Sequence, residues 1–284
     1  MNVAKRLIVI MSSLFLTASC GEPNVLTEFS QRDSDEALFQ EAQKRLDEMK
    51  WTEALDIIDN QLSASYQAKT EVKDMRASVY AGKCGLTLFT FVANMGTSDS
   101  STVFNFFMSG MRNKIVSPAD CDTARDIIIA THGDFAQRPA QQNLNMAILG
   151  MAKAGAYLRS KLDQDGSGLG NGALDPAKDV CAPADFTDAD VRETVLGFGL
   201  LVENLVAVSA DLAGATVTQI NDFKTQCGIA LGFPGPAVPC TLTDATLIDN
   251  NINMFRSILN DPSIGVGSCA LGDTPFTACP CDGI

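Results

Sequence analysis

The residues best equipped for chemistry lie in one short stretch, Asp163-Gln164-Asp165-Gly166-Ser167-Gly168-Leu169-Gly170-Asn171. The carboxylates of Asp163 and Asp165, the hydroxyl of Ser167 and the amide oxygen of Asn171 are hard oxygen donors of the kind a calcium ion takes. The intervening glycines let the backbone turn tightly enough to aim them at one point. Calcium held by Asp163, Asp165, Ser167 and Asn171 is therefore the metal expectation, set against a plain turn after a helix, since Asp and Gly are also the ordinary residues of turns. The alternation Gly166, Gly168, Gly170, Gly172 has the look of a phosphate cradle, but phosphate loops follow a strand and open a helix. This one follows a helical stretch and lies among carboxylates that repel phosphate.

Little else points to catalysis. The single histidine, His132, ends an apolar stretch before Gly133 and Asp134, where an imidazole would cap free helix carbonyls. A Ser or Cys nucleophile needs a base, and no nucleophile elbow accompanies this one histidine, so no catalytic residue is assigned and the chain is expected not to be an enzyme. Carboxylate pairs for glycoside chemistry exist in principle among 34 acidic residues, yet no spacing singles one out. Those 34 acids against 21 basic residues give a formal charge of −13, which leaves little to build a phosphate-binding surface and argues against a nucleic-acid partner. Phe89, Phe91, Phe104, Phe106 and Phe107, on two successive helical stretches, read as core more than as a ligand groove.

Two local patterns resemble known families. The Asp163–Asn171 stretch resembles the first half of an EF-hand calcium loop, with departures in the second half: Leu174 stands where a bidentate Glu closes that loop, Asp175 comes one place late, and Gly170 replaces an aliphatic. At the N-terminus, Lys5 and Arg6 precede an apolar run from Leu7 to Leu16 and then Thr17-Ala18-Ser19-Cys20. The run is about half of the ~20 residues a spanning helix needs, so it reads as a signal-peptide core. Leu16 to Cys20 resembles the lipobox of bacterial lipoproteins, with Thr17 where Leu is usual. The resemblance implies cleavage before Cys20, a diacylglyceryl group on its thiol, and acyl chains that hold the protein on a membrane without a spanning helix. Gly21 after the cysteine implies the outer membrane, with the chain facing the periplasm.

Eight cysteines remain once Cys20 is acylated, an even number in an exported chain, which reads as disulfides. Spacing favours Cys84 with Cys121 and Cys227 with Cys240. Cys279 and Cys281 flank Pro280 and are too close to bridge each other easily, so one clips to Cys269 and the other to Cys181. The rival, a metal site of the last three cysteines, lacks a fourth ligand at zinc-finger spacing.

The elements that must position these groups are helical. After a signal at 1–19 and a tether at 20–33, Leu38, Ala42, Leu46 and Met49 form one face of a helix opened by Ser34. Ala54, Leu55, Ile58 and Leu62 form a second, with Lys50-Trp51-Thr52 as the turn. This hairpin resembles a tetratricopeptide repeat: Trp51 and Ala54 fit the opening of the family's second helix, Ala77 fits too, and Leu46 and Tyr80 lie one 34-residue period apart. The turn after Leu46 is one residue short, Gln61 replaces a small residue and the closing proline is missing. Further helices are expected over 66–95, 100–115, 118–132, 138–162, 187–213, 215–231 and 243–260, with no convincing strand. The run from Val191 to Ala213 carries Arg192, Glu193, Glu203, Asn204 and Asp211, so it reads as a buried helix and not a membrane span.

The expectation is an all-α protein of irregular, tetratricopeptide-like antiparallel hairpins, stapled by disulfides. It has an N-terminal helical half at 34–162, a Gly/Asp-rich loop at 163–186, and a C-terminal half at 187–284 ending in an irregular Cys-rich tail. The expected function is that of an outer-membrane-anchored periplasmic lipoprotein acting as a non-enzymatic scaffold for envelope proteins, without cofactor unless calcium. The alternatives are a solute- or calcium-binding accessory of a transport system and, third, an envelope hydrolase using carboxylates.

Overall fold

A computed structural model describes residues 33–96, 102–209, 242–261, 265–267 and 281. The signal, Cys20, nearly all of the tether, the expected helix at 215–231, and Cys227, Cys240, Cys269 and Cys279 lie outside the described residues.

The protein is all-α, and the described residues contain no strand. In chain order the helices are α1 (Asp35–Asp47), α2 (Trp51–Asp56, continuing through a π turn at Ile57–Gln61), α3 (Ala64–Gln67) and α4 (Thr70–Cys84). They continue with α5 (Leu88–Gly96), α6 (Val103–Gly110), α7 (Pro118–His132), α8 (Ala140–Leu162), α9 (Asp188–Ser209), α10 (Ala245–Asp249) and α11 (Ile252–Asn260). Their starts follow the capping residues. Ser34 accepts from the Ala37 N–H, Pro118 occupies the first turn of α7, Asp244 accepts from the N–H groups of Thr246 and Leu247, and Thr187 and Asp190 bond reciprocally across the first turn of α9.

Two expected helices are broken. The one at 66–95 divides at Gly85, whose φ of 111° closes α4 while the Leu86 N–H reaches the Ala81 carbonyl. The one at 243–260 divides at Asn250-Asn251, where the Asn251 side chain donates to the Leu247 carbonyl at 2.8 Å and competes with the backbone ladder.

The first hairpin and α4 enclose a small core around Ala42, Ala54, Ile58, Leu62 and Val79. α8 then divides two larger cores. One face supplies Met146, Leu149, Ala152 and Ala156 to a cluster with α4, α5 and α7; the other supplies Ala147, Ala154, Leu158 and Leu162 to a cluster with α6, α9, α10 and α11. Helices on either side of the 163–186 stretch thus share one core. α8 and α9 touch backbone to backbone: a Cβ on Gly150 would lie 2.5 Å from the Gly197 carbonyl oxygen, and one on Gly197 would lie 2.8 Å from that of Gly150. Phe91, Phe104 and Phe107 are buried as core, as expected. No helix among the described residues is long and apolar enough to cross a membrane.

Two disulfides tie the bundle, Cys84–Cys121 between α4 and α7, and Cys181–Cys281, which fixes which of the two tail cysteines returns to Cys181. Around the latter, the Cys281 N–H donates to the Ser257 hydroxyl at 3.1 Å and the Val266 N–H to the Leu259 carbonyl at 2.8 Å, fastening the tail to α11.

Candidate functional site

The stretch after α8 is an ordered loop built around Asp163. This residue is wholly buried, and its two carboxylate oxygens accept the N–H groups of Asn171 and Gly172, each at 2.8 Å. Burial pushes the Asp163 carboxyl up, against the pull of those two hydrogen bonds. On the facing side Asp175 accepts from the N–H groups of Gln164 at 2.9 Å and Asp165 at 3.3 Å. One oxygen from each of Asp163, Asp165 and Asp175 lies within 4.8 Å of the others, so three carboxylates converge.

The convergence differs from the sequence set. Asp163 and Asp165 come together as expected, and Asp175 joins them although it sits one place late in the motif. Ser167 and Asn171 serve the loop instead: the Ser167 hydroxyl accepts the Leu169 N–H at 3.2 Å, the Asn171 amide donates to Asp165 at 3.0 Å, and its oxygen accepts the Ala173 N–H at 2.8 Å. The positive charge is supplied from within. Arg159, 3% exposed, donates Nε to the Leu169 carbonyl at 3.1 Å and Nη2 to that of Gly168. The Leu169 carbonyl corresponds to the backbone ligand of an EF-hand-like loop, and here it also accepts the Lys114 N–H at 3.2 Å. Burial lowers the Arg159 pKa, and the three carboxylates oppose that shift. Sequence reading missed Arg159; its signal was a cation one turn before Asp163 at a helix C-terminus.

A second cluster joins α7, α8 and α9. Lys153 is wholly buried and donates Nζ to Asp122 and, at 2.5 Å, to Glu193. The Tyr157 hydroxyl donates to Asp122 at 2.6 Å, and burial together with that carboxylate raises its pKa far above the usual phenol range. Arg125 lies 3.2 Å from Asp122 and 3.8 Å from Glu193. Both carboxylates are bound to cations, and neither lines either of the two clefts described next.

Those clefts lie between helices. The first, about 240 Å³, is walled by Ala77 and Ala81 of α4, Leu86, Ile128 of α7, and Ile148 and Leu149 of α8. Asp74 at its edge lies 2.6 Å from His132 Nε2 and accepts from Gln142 at 3.2 Å. The expected capping role of His132 is corrected here: Gly133, with its N–H on the Ile129 carbonyl at 2.8 Å, closes α7, and the imidazole crosses to α4. The second cleft, about 400 Å³, lies between the end of α7, the connection to α8, α9 and the start of α10.

Comparison with known proteins adds no relative: the chain matches no family model, no curated protein and no solved structure.

Proposed function

We propose that the chain is an exported lipoprotein, acylated at Cys20, anchored in the outer membrane and facing the periplasm, where it acts as a non-enzymatic helical scaffold or interaction accessory for envelope proteins. The observation that carries the reading is where the reactive groups sit. His132, Lys153, Tyr157 and Arg159 are held in pairs with neighbouring helices or loop carbonyls, whereas the open spaces are grooves between helices. Grooves of that kind are what helical arrays offer to partners. Two disulfides agree with an oxidising compartment. Chemical crosslinking in intact cells, followed by purification from envelope fractions and mass spectrometry, tests the reading. A stoichiometric envelope protein travelling with the chain is expected, and Cys20→Ala should release the chain from the membrane fraction. Recovery of the unmodified chain alone from the soluble fraction would overturn both parts.

Calcium binding is a second reading, favoured by the convergence of Asp163, Asp165 and Asp175 and opposed by the guanidinium already seated on the loop carbonyls. Titration calorimetry in millimolar calcium decides it. Heat that Asp163→Ala with Asp165→Ala abolishes would establish the site, and an absence of heat from the unaltered chain would remove it.

A further inference from the structure

The larger cleft has apolar walls, Ile129, Phe135, Leu196 and Leu200, and four charged residues, Arg125, Asp134, Arg138 and Glu203. Its two cations are already held. Arg125 lies 2.8 Å from Asp126 and 3.2 Å from Asp122. Arg138 is 7% exposed, with Nη1 donating to Asn204 Oδ1 at 2.7 Å and Nε to the Gly133 carbonyl at 2.9 Å, so its charge is fixed in the wall.

The carboxylates are differently placed. Asp134 accepts the Ala136 N–H at 3.0 Å, Thr243 lines the cleft beside Glu203, and among the described residues neither carboxylate has a cation within 4.0 Å. The field of Arg138 acts on Glu203 and is acted on by both carboxylates, so one guanidinium faces two negative groups. Burial pushes the Glu203 carboxyl above its ordinary range, Arg138 pulls it back, and Asp134 adds a smaller push upward.

A cleft with apolar side chains on its walls, in which two carboxylates face one guanidinium among the described residues, matches one kind of ligand. A space of ~300–1,000 Å³ takes a small organic molecule, an ammonium group can pair with the half-buried Glu203 carboxylate, and an aromatic side chain in the wall adds attraction for a cation. We propose that this cleft binds a small organic cation, an ammonium carried on an apolar or aromatic body, with Glu203 and Asp134 as its counter-charges. A carboxylate on the same ligand would meet both acids, which disfavours amino acids; a neutral isostere would leave the charge unmet. The inference goes beyond the scaffold reading and does not depend on the anchor.

Calorimetric titration of phenethylammonium into the oxidised full chain near neutral pH tests it, with 2-phenylethanol and phenylalanine as matched probes. Saturable binding is expected for the ammonium, and binding weaker by about tenfold or more for the alcohol and the amino acid. Glu203→Gln, which keeps the shape and removes the charge, should weaken phenethylammonium by a similar factor. Asp134→Asn, at an exposed position, supplies a second variant whose folding is not at issue. No saturable heat, equal binding of the alcohol, or unchanged affinity in both variants would overturn the proposal.

Discussion

Replacing Lys153 with Met would remove a buried ammonium while keeping close to its volume, isolating the electrostatic part of the α7–α8–α9 junction. Lys153 is 0% exposed, whereas its partners Asp122 and Glu193 are 23% and 18% exposed at the side chain. Removing one partner of a fully buried pair costs about 3–5 kcal/mol, chiefly because the other charge is left alone. Here the loss is softened. Asp122 keeps Arg125 at 3.2 Å and the Tyr157 hydroxyl at 2.6 Å, and Glu193 keeps Arg192 at 3.3 Å. The expected cost of Lys153→Met is therefore about 2–3 kcal/mol, below the full cost for a buried pair because both partners keep other contacts. At about 2–4 °C per kcal/mol for a chain of this size, the melting temperature should fall by roughly 4–12 °C. Urea unfolding followed by circular dichroism, with both disulfides intact, measures the difference at constant m. The decisive companion is the triple variant Lys153→Met, Asp122→Asn, Glu193→Gln. With both carboxylates neutralised it should recover part of the loss, since the cost of breaking a buried pair is chiefly the charge left alone. A single variant that costs less than about 1 kcal/mol, or a triple variant less stable than the single one, would refute the reasoning.

Three further perturbations test other parts of the molecule. Met49 holds a left-handed φ of 59° between α1 and α2 and is 61% exposed, so Met49→Gly should stabilise by about 1 kcal/mol; a loss of stability in chemical unfolding would show that its side chain matters more than its backbone. Removing Cys84–Cys121, whose cysteines are 37 residues apart, by paired substitution to Ser should cost about 4 kcal/mol, and reductant should then destabilise the variant less than the unaltered chain. Burial raises Glu203 above its ordinary 4.5, so above both values its ionisation withdraws stability, which returns as the pH falls through the raised folded value. Glu203→Gln, without added ligand, should accordingly melt higher than the unaltered chain at neutral pH, with the gap closing below pH 4.5; a gap that ignores pH would sink this account.

What the sequence made legible was local. Helical periodicity and capping residues located most elements, because Ser34, Thr187 and Asp244 accept N–H groups of the turn beside them and Pro118 sits in a first turn where no N–H is needed. Small residues allow close helix approach, as Gly150 of α8 against Gly197 of α9 shows. The two breaks were harder to see, since Gly85 and Asn251 lie inside apolar periods and act through one dihedral and one side-chain bond. The sites depended on distance in the fold. Asp163 and Asp165 are neighbours in any conformation, but Asp175 joins them only because the loop folds back so that it can accept the Gln164 N–H, and Arg159 reaches the loop only because α8 ends where it does.

The same limit explains why the carboxylates resisted assignment. Among 34 acids, spacing distinguishes none, yet the fold sorts them by what lies opposite. Asp122 and Glu193 meet Lys153 and Arg125, Asp163 meets backbone N–H groups and faces Arg159, and Glu203 shares Arg138 with a second acid, Asp134, in an open cleft. A carboxylate opposed by a cation or by backbone donors is part of the architecture, because its partner came with the chain. One that shares a single guanidinium with another acid and faces open space carries a desolvation cost that this guanidinium only partly offsets, and a ligand supplied from outside can offset the rest. That difference in partners, which no spacing along the chain encodes, places the most informative experiment at Glu203 and not at the more conspicuous Asp-Gly loop.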